Sequence, residues 1–205
     1  NMAIEAGGKA GVFPADQVVL DFLQGTNRQG DSELFPDPEC SYEQEVSMDL
    51  NDLGPQVACP HLPENVRPVK ELDTVWLDQV VIGSCTNGRI SDLRKAAKIL
   101  QGNGVAKGLR LIVLPATPRV YSQALQEGLL EIFMNAGATV GPPTCGPCLG
   151  GHMGILASGE KCLATTNRNF KGRMGSLESE VYLSGPEVAA ASAVTGKISH
   201  PKEVV

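Results

Sequence analysis

The chain has 205 residues, and 17 Lys and Arg against 23 Asp and Glu leave a net charge of −6. That length suits one domain or two small ones, with a core able to bury about 70% of the unfolded surface. The acidic balance argues against a general nucleic-acid or membrane-surface binder, and no apolar run approaches the ~18 residues of a spanning helix.

In chain order, the first segment reads as the end of one helix, a turn at Gly7-Gly8, and a helix over 16–23 carrying apolar Val18, Val19, Phe22 and Leu23. Residues 25–43 are rich in Gly, Pro, Asn and acids. Residues 31–52 hold eight carboxylates and no Lys or Arg, the pattern of a solvated face. Over 45–50 polar and apolar residues alternate, with Val46, Met48 and Leu50 on one side, as in a half-buried strand. Pro55, Pro60, Pro63 and Pro68 then mark a connection. The expected division is 1–68, a partial α/β domain with its connection, and 69–205, a second α/β domain.

The next stretch alternates regularly. A buried strand is predicted over 76–82, and a helix over 91–101, capped by Ser91 and stopped at Gly102. A strand over 109–114, a helical stretch over 117–135 broken near Gly128, and a strand at 138–140 follow. Strand–helix–strand–helix–strand with buried runs implies a mostly parallel sheet between helices, a three-layer α/β/α domain. A short strand over 161–166 and an Ala-rich helix over 186–194, ending at Gly196, complete the pattern.

The six cysteines are Cys40, Cys59, Cys85, Cys145, Cys148 and Cys162. No charged and apolar leader precedes them, and a chain of this size needs no disulfide framework. A reducing, cytoplasmic setting is therefore expected, with some cysteines as ligands or nucleophiles.

Cys85 stands in Val-Val-Ile-Gly-Ser-Cys-Thr-Asn-Gly-Arg, after a strand and before a helix. In open α/β sheets ligands bind at that edge. Cys145 and Cys148 form a Cys-x-x-Cys pair in Pro-Pro-Thr-Cys-Gly-Pro-Cys-Leu-Gly-Gly-His. That spacing suits a metal chelate or a redox dithiol. Thioredoxin-like chemistry would put the pair near the start of its domain, not after three strands. A zinc site would need a fourth ligand, for which His152 or Cys85 is available; a three-thiolate iron–sulfur site would leave one position open. Spacing alone does not choose between them.

Two further segments carry chemistry. Over 166–175, Arg168, Lys171 and Arg173 lie beside Gly172 and Gly175, a basic loop in an acidic chain suited to a small polycarboxylate. At the start, Asn1 and Glu5 are one helical turn apart, and Glu5 could act as an acid, a base or a water-orienting group.

Together these segments resemble the aconitase superfamily. The resemblance covers nearly the whole chain and is most specific at Gly83-Ser84-Cys85-Thr86-Asn87, Cys145-Gly146-Pro147-Cys148 and Asn167-Arg168-Asn169-Phe170-x-Gly172-Arg173. The tail from Gly172 through Leu183 looks like the isopropylmalate dehydratase branch, whose pattern homoaconitase and methylmalate dehydratase large subunits largely share. The resemblance implies a 4Fe-4S cluster on Cys85, Cys145 and Cys148, with Asn1 and Asn167 beside it. It also implies that Glu5 orients the hydroxyl or water and that Arg168 and Arg173 hold substrate carboxylates. The implied reaction interconverts 2- and 3-isopropylmalate by dehydration and rehydration in leucine biosynthesis.

The same resemblance implies partners. The family's early His and Asp residues precede the Asn-Met-x-x-Glu motif with which this sequence begins, and the swivelling domain belongs to a separate small subunit. The chain is thus expected to be the C-terminal part of a large subunit and inactive alone. It would need the remaining N-terminal part, the small subunit and a hydroxy-dicarboxylate, but no nucleic acid or membrane. The alternatives are a homoaconitase or methylmalate dehydratase large-subunit fragment, or a non-catalytic zinc-binding structural domain. Cys40, Cys59 and Cys162 match no ligand position.

Overall fold

A computed structural model describes residues 2–24 and 35–205. The chain forms two compact units, Asn1–Asp52 and Leu53–Val205. In the first, residues 3–7 form a turn in which the Gly8 amide reaches back to the Ala3 carbonyl at 2.8 Å, a closure found where helices end. Helix α1 (Gln17–Gln24) follows. Asp16 starts it by accepting the Val19 amide on its carboxylate at 2.9 Å, which satisfies an otherwise unpaired first-turn donor.

The strand expected over 45–50 does not form: those residues have no regular structure, and Val46, Met48 and Leu50 are all exposed. Alternation identifies a strand only when a partner supplies the ladder bonds and covers the apolar side, and no strand is assigned among the described residues of this unit.

The second unit is built on one seven-stranded sheet. Its strands are β1 (Gln56–Ala58), β2 (Val66–Pro68), β3 (Gln79–Gly83), β4 (Arg110–Leu114), β5 (Thr139–Val140), β6 (Lys161–Ala164) and β7 (Glu180–Ser184), in the order β2-β1-β7-β6-β3-β4-β5. The run from β7 to β5 is parallel throughout. The hairpin of β1 and β2 adds antiparallel to β7. This is the mostly parallel α/β/α-type domain that the alternation of elements implies. Strands β1 and β2 lie within the proline-studded stretch read as a connection, and the Pro residues bound them at the sheet margin, where a missing amide donor is tolerated.

The pleat sorts the strand side chains onto two faces. Val80 and Ile82 of β3, Leu111 and Val113 of β4, Leu163 of β6 and Tyr182 of β7 enter the larger core. Val81, Cys162, Ala164, Val181 and Leu183, which alternate with them, form the smaller one with Leu156 and Met174. Helices α3 (Ile90–Leu100), α4 (Pro118–Gln126), α5 (Leu129–Ala136) and α6 (Pro186–Thr195) fill the larger core with residues such as Leu93, Ala124, Phe133 and Ala190.

Two local expectations shift. Strand β3 starts at Gln79 rather than at 76, and Trp76 is 65% exposed, joined to Lys197 by a single bridge. Helix α3 starts one residue before Ser91; the Asp92 carboxylate, accepting the Arg89 amide at 3.2 Å, closes its first turn. Among the described residues no helix is long and apolar enough to cross a membrane.

Candidate functional site at the C-terminal edge of the parallel strands

Three of the motifs converge on one edge of the second unit because each follows a parallel strand. Cys85 lies in α2 (Ser84–Asn87), directly after β3. Cys145 and Cys148 follow β5, with Cys148 in a short 3-10 turn (Gly146–Leu149). Asn167, Arg168 and Arg173 follow β6. Crossover connections return each strand in the same direction, so chemistry encoded at strand C-termini collects on one side of the sheet.

The turn out of β3 is tight. Gly83 has φ of 109°, and a Cβ there would collide with the Leu114 carbonyl of β4, so neither the conformation nor the space admits a side chain. Ser84 follows with φ of 65°, unusual for a residue other than glycine. Thr165, just beyond β6, fixes this turn from both sides. Its hydroxyl accepts the Gly83 amide at 2.8 Å and its carbonyl accepts the Asn87 side-chain amide at 2.7 Å.

The basic loop is anchored at Asn169, which is fully buried and donates to the Cys59 carbonyl at 2.9 Å. Arg173 is half-buried. It lies over the Phe170 ring, 5.3 Å from its centroid, and one terminal guanidinium nitrogen lies 3.4 Å from Cys148 Sγ. Its Nε is buried and makes no hydrogen bond. The buried hydroxyls of Ser84 and Thr166 are also unpaired. A buried polar atom without a partner costs about 1–3 kcal/mol, so these three groups at one edge have hydrogen-bonding capacity open to water or another polar partner.

The cysteines do not behave as a ligand triad. Cys85 is exposed, with Sγ 3.8 Å from the Thr86 hydroxyl; Cys145 is exposed; Cys148 is buried against Arg173. Among the described residues there is no group of three or more Cys, His, Asp or Glu side chains that could hold a metal ion. This overturns the expectation of a 4Fe-4S cluster, and with it the iron–sulfur and metal-binding assignment. The three thiols share a sheet edge, but their side chains do not converge on a common point. The same finding removes the four-ligand zinc site; His152 is exposed.

Other expected residues have clear places. Asn167 is buried and Arg168 half-buried at the exit of β6. Glu5 is half-buried in the turn over 3–7 of the first unit. Asn1 lies outside the described residues. All six cysteines are free. Cys162 lies in the smaller core, where burial pushes its thiol up to about 12, and burial also raises the Cys59 thiol. The sequence motifs contain Ser84 and Thr166 without assigning either a role, and they leave out Thr165. Thr165-Thr166 at a strand end directly before Asn-Arg was the available signal.

A model of the aconitase family (aconitate hydratase) matches residues 1–76 and 70–196, and the chain belongs to that family. Among curated relatives, it is 64% identical over 202 residues to the 3-isopropylmalate dehydratase large subunit of Oleidesulfovibrio alaskensis, covering 98% of this chain and 48% of the relative. It is 66% identical over 201 residues to that of Nitratidesulfovibrio vulgaris strain Miyazaki F, covering 98% and 48%. To the Moorella thermoacetica protein of the same name it is 60% identical over 206 residues, covering 100% and 49%. The chain thus spans about half the length of the curated relatives it matches.

Proposed function

We propose that this chain supplies the carboxylate-binding edge of a hydro-lyase that interconverts 2- and 3-isopropylmalate in leucine biosynthesis. One observation carries the reading. The loop after β6 presents Arg173 with an unpaired buried Nε, at the same sheet edge as the orphaned hydroxyls of Ser84 and Thr166, in a chain about two-thirds identical to subunits named for that reaction. In such a reaction a proton leaves one carbon as hydroxide leaves its neighbour, and water returns with the two positions exchanged.

In this reading Arg173 and Arg168 hold the carboxylates. An arginine offers a planar fork of donors that matches a carboxylate and fixes which carbon faces the reacting groups. Asn167 lines the same strand exit. Glu5 orients the hydroxyl or the returning water, a task for a carboxylate within hydrogen-bond reach of the oxygen; Asn1 belongs with it.

The same reading assigns the chain to a cytoplasmic assembly. In it, the chain works with the remaining N-terminal part of a large subunit and with a small subunit carrying the swivelling domain. The test is an enzyme assembled from these parts and assayed for water loss from 3-isopropylmalate, with homocitrate and methylmalate in parallel. Turnover of isopropylmalate is expected. Turnover confined to another hydroxy acid, or no turnover in a folded assembly, would overturn the reading.

A further inference from the structure

Far from that edge, the first residue of β3 is a fully buried glutamine. Gln79 uses both ends of its amide. Its nitrogen donates to the Gly154 carbonyl at 2.9 Å, and its oxygen accepts Arg110 Nε at 3.2 Å. Arg110 in turn grips both oxygens of Glu160 at 2.8 Å, and Glu160 accepts the Ala157 amide at 2.8 Å. A buried amide with both ends engaged is an unusual choice where β3 otherwise carries Val and Ile, and a hydrocarbon would fill the space without needing partners.

What the amide holds is the far end of the loop that carries Cys148. At Gly154 a Cβ would lie 2.8 Å from Pro147 Cγ and 2.6 Å from Ile112 Cδ1, so the Gly154 backbone is pressed against the proline that precedes Cys148. We infer that Gln79 is a positioning residue: through Gly154 and Pro147 it sets where Cys148 sits, and hence the seat of Arg173. The ion pair of Arg110 and Glu160 orients its amide from outside. The consequence for substrate rests on the reading of Arg173 above; the order of the loop does not.

The test is native-state alkylation of the chain followed by mass spectrometry of each cysteine, which needs no substrate. Gln79→Met keeps the volume and removes the hydrogen bonds. Labelling of buried Cys148 should rise about tenfold, the effect of losing one or two hydrogen bonds on local opening. Cys162 does not serve as the reference, because the Gln79 amide also donates to its Sγ at 3.8 Å. Arg110→Met, at the half-exposed end of the chain of bonds, should raise Cys148 labelling about two- to threefold. This variant decides the matter if Gln79→Met does not fold. Unchanged Cys148 labelling in the folded variants, or a rise no larger than their loss of global stability in urea unfolding accounts for, would overturn the inference. Either result would leave the proposed reaction untouched.

Discussion

Arg173 reaches back across 25 residues of sequence to place a guanidinium nitrogen 3.4 Å from the sulfur of Cys148. The contact joins the loop after β6 to the loop after β5 and leaves Nε unpaired. In the assembled enzyme, Arg173→Lys keeps the charge but loses the planar fork, so kcat/KM for the dicarboxylate should fall about 10- to 100-fold. Steady-state kinetics on that variant check it. An unchanged value would remove Arg173 from the substrate site.

The Arg110 guanidinium, by hydrogen bonding, holds the Glu160 carboxyl below its ordinary value. A group whose pKa is lower folded than unfolded adds stability above its unfolded value. That contribution disappears as pH falls through the folded value. Glu160→Gln should therefore cost about 0.5–1 kcal/mol at neutral pH, the range for a solvent-screened pair, and progressively less on acidification below the ordinary carboxylate range. Urea unfolding of both proteins across that pH range checks the convergence.

At Gly83 a side chain meets the Leu114 carbonyl and must also adopt a φ of 109°. Gly83→Ala should destabilise the second unit by about 3 kcal/mol or more, lowering its melting temperature by roughly 6–12 °C. Calorimetry measures the shift.

The cysteines divide by exposure. In the folded chain at pH 8, iodoacetamide should modify Cys40, Cys85 and Cys145 readily. Cys162, buried in the smaller core with its thiol pushed up to about 12, should remain unmodified until the unit unfolds. Early labelling of Cys162 would mean that the smaller core opens on its own.

Much of the second unit was legible from one dimension. Apolar runs and the stops at Gly102, Gly128 and Gly196 located the helices and the central strands, because each is specified by neighbours within a turn or two. Strands β1 and β2 escaped because they are three residues each and exist only as a hairpin on β7; β7, five residues long, escaped because its place is set by pairing with β6 and β1. The alternating Val46, Met48 and Leu50 erred the other way: a local pattern without a partner strand.

By itself the sequence determined the family, the parallel topology, and which residues would collect at one sheet edge, because strand direction follows from the crossover helices between strands. It also determined the acidic balance that argues against broad anion binding and the one basic loop within it. Only the tertiary structure decided how those residues face. Side-chain direction depends on packing between segments distant in the chain, and it turns Cys148 toward Arg173 and leaves Cys85 and Cys145 exposed, instead of bringing three thiols to one point. The buried Gln79 and the unpaired Ser84 and Thr166 hydroxyls are of the same kind: their roles arise from what folds over them, 75 residues away in the case of Gln79 and Gly154.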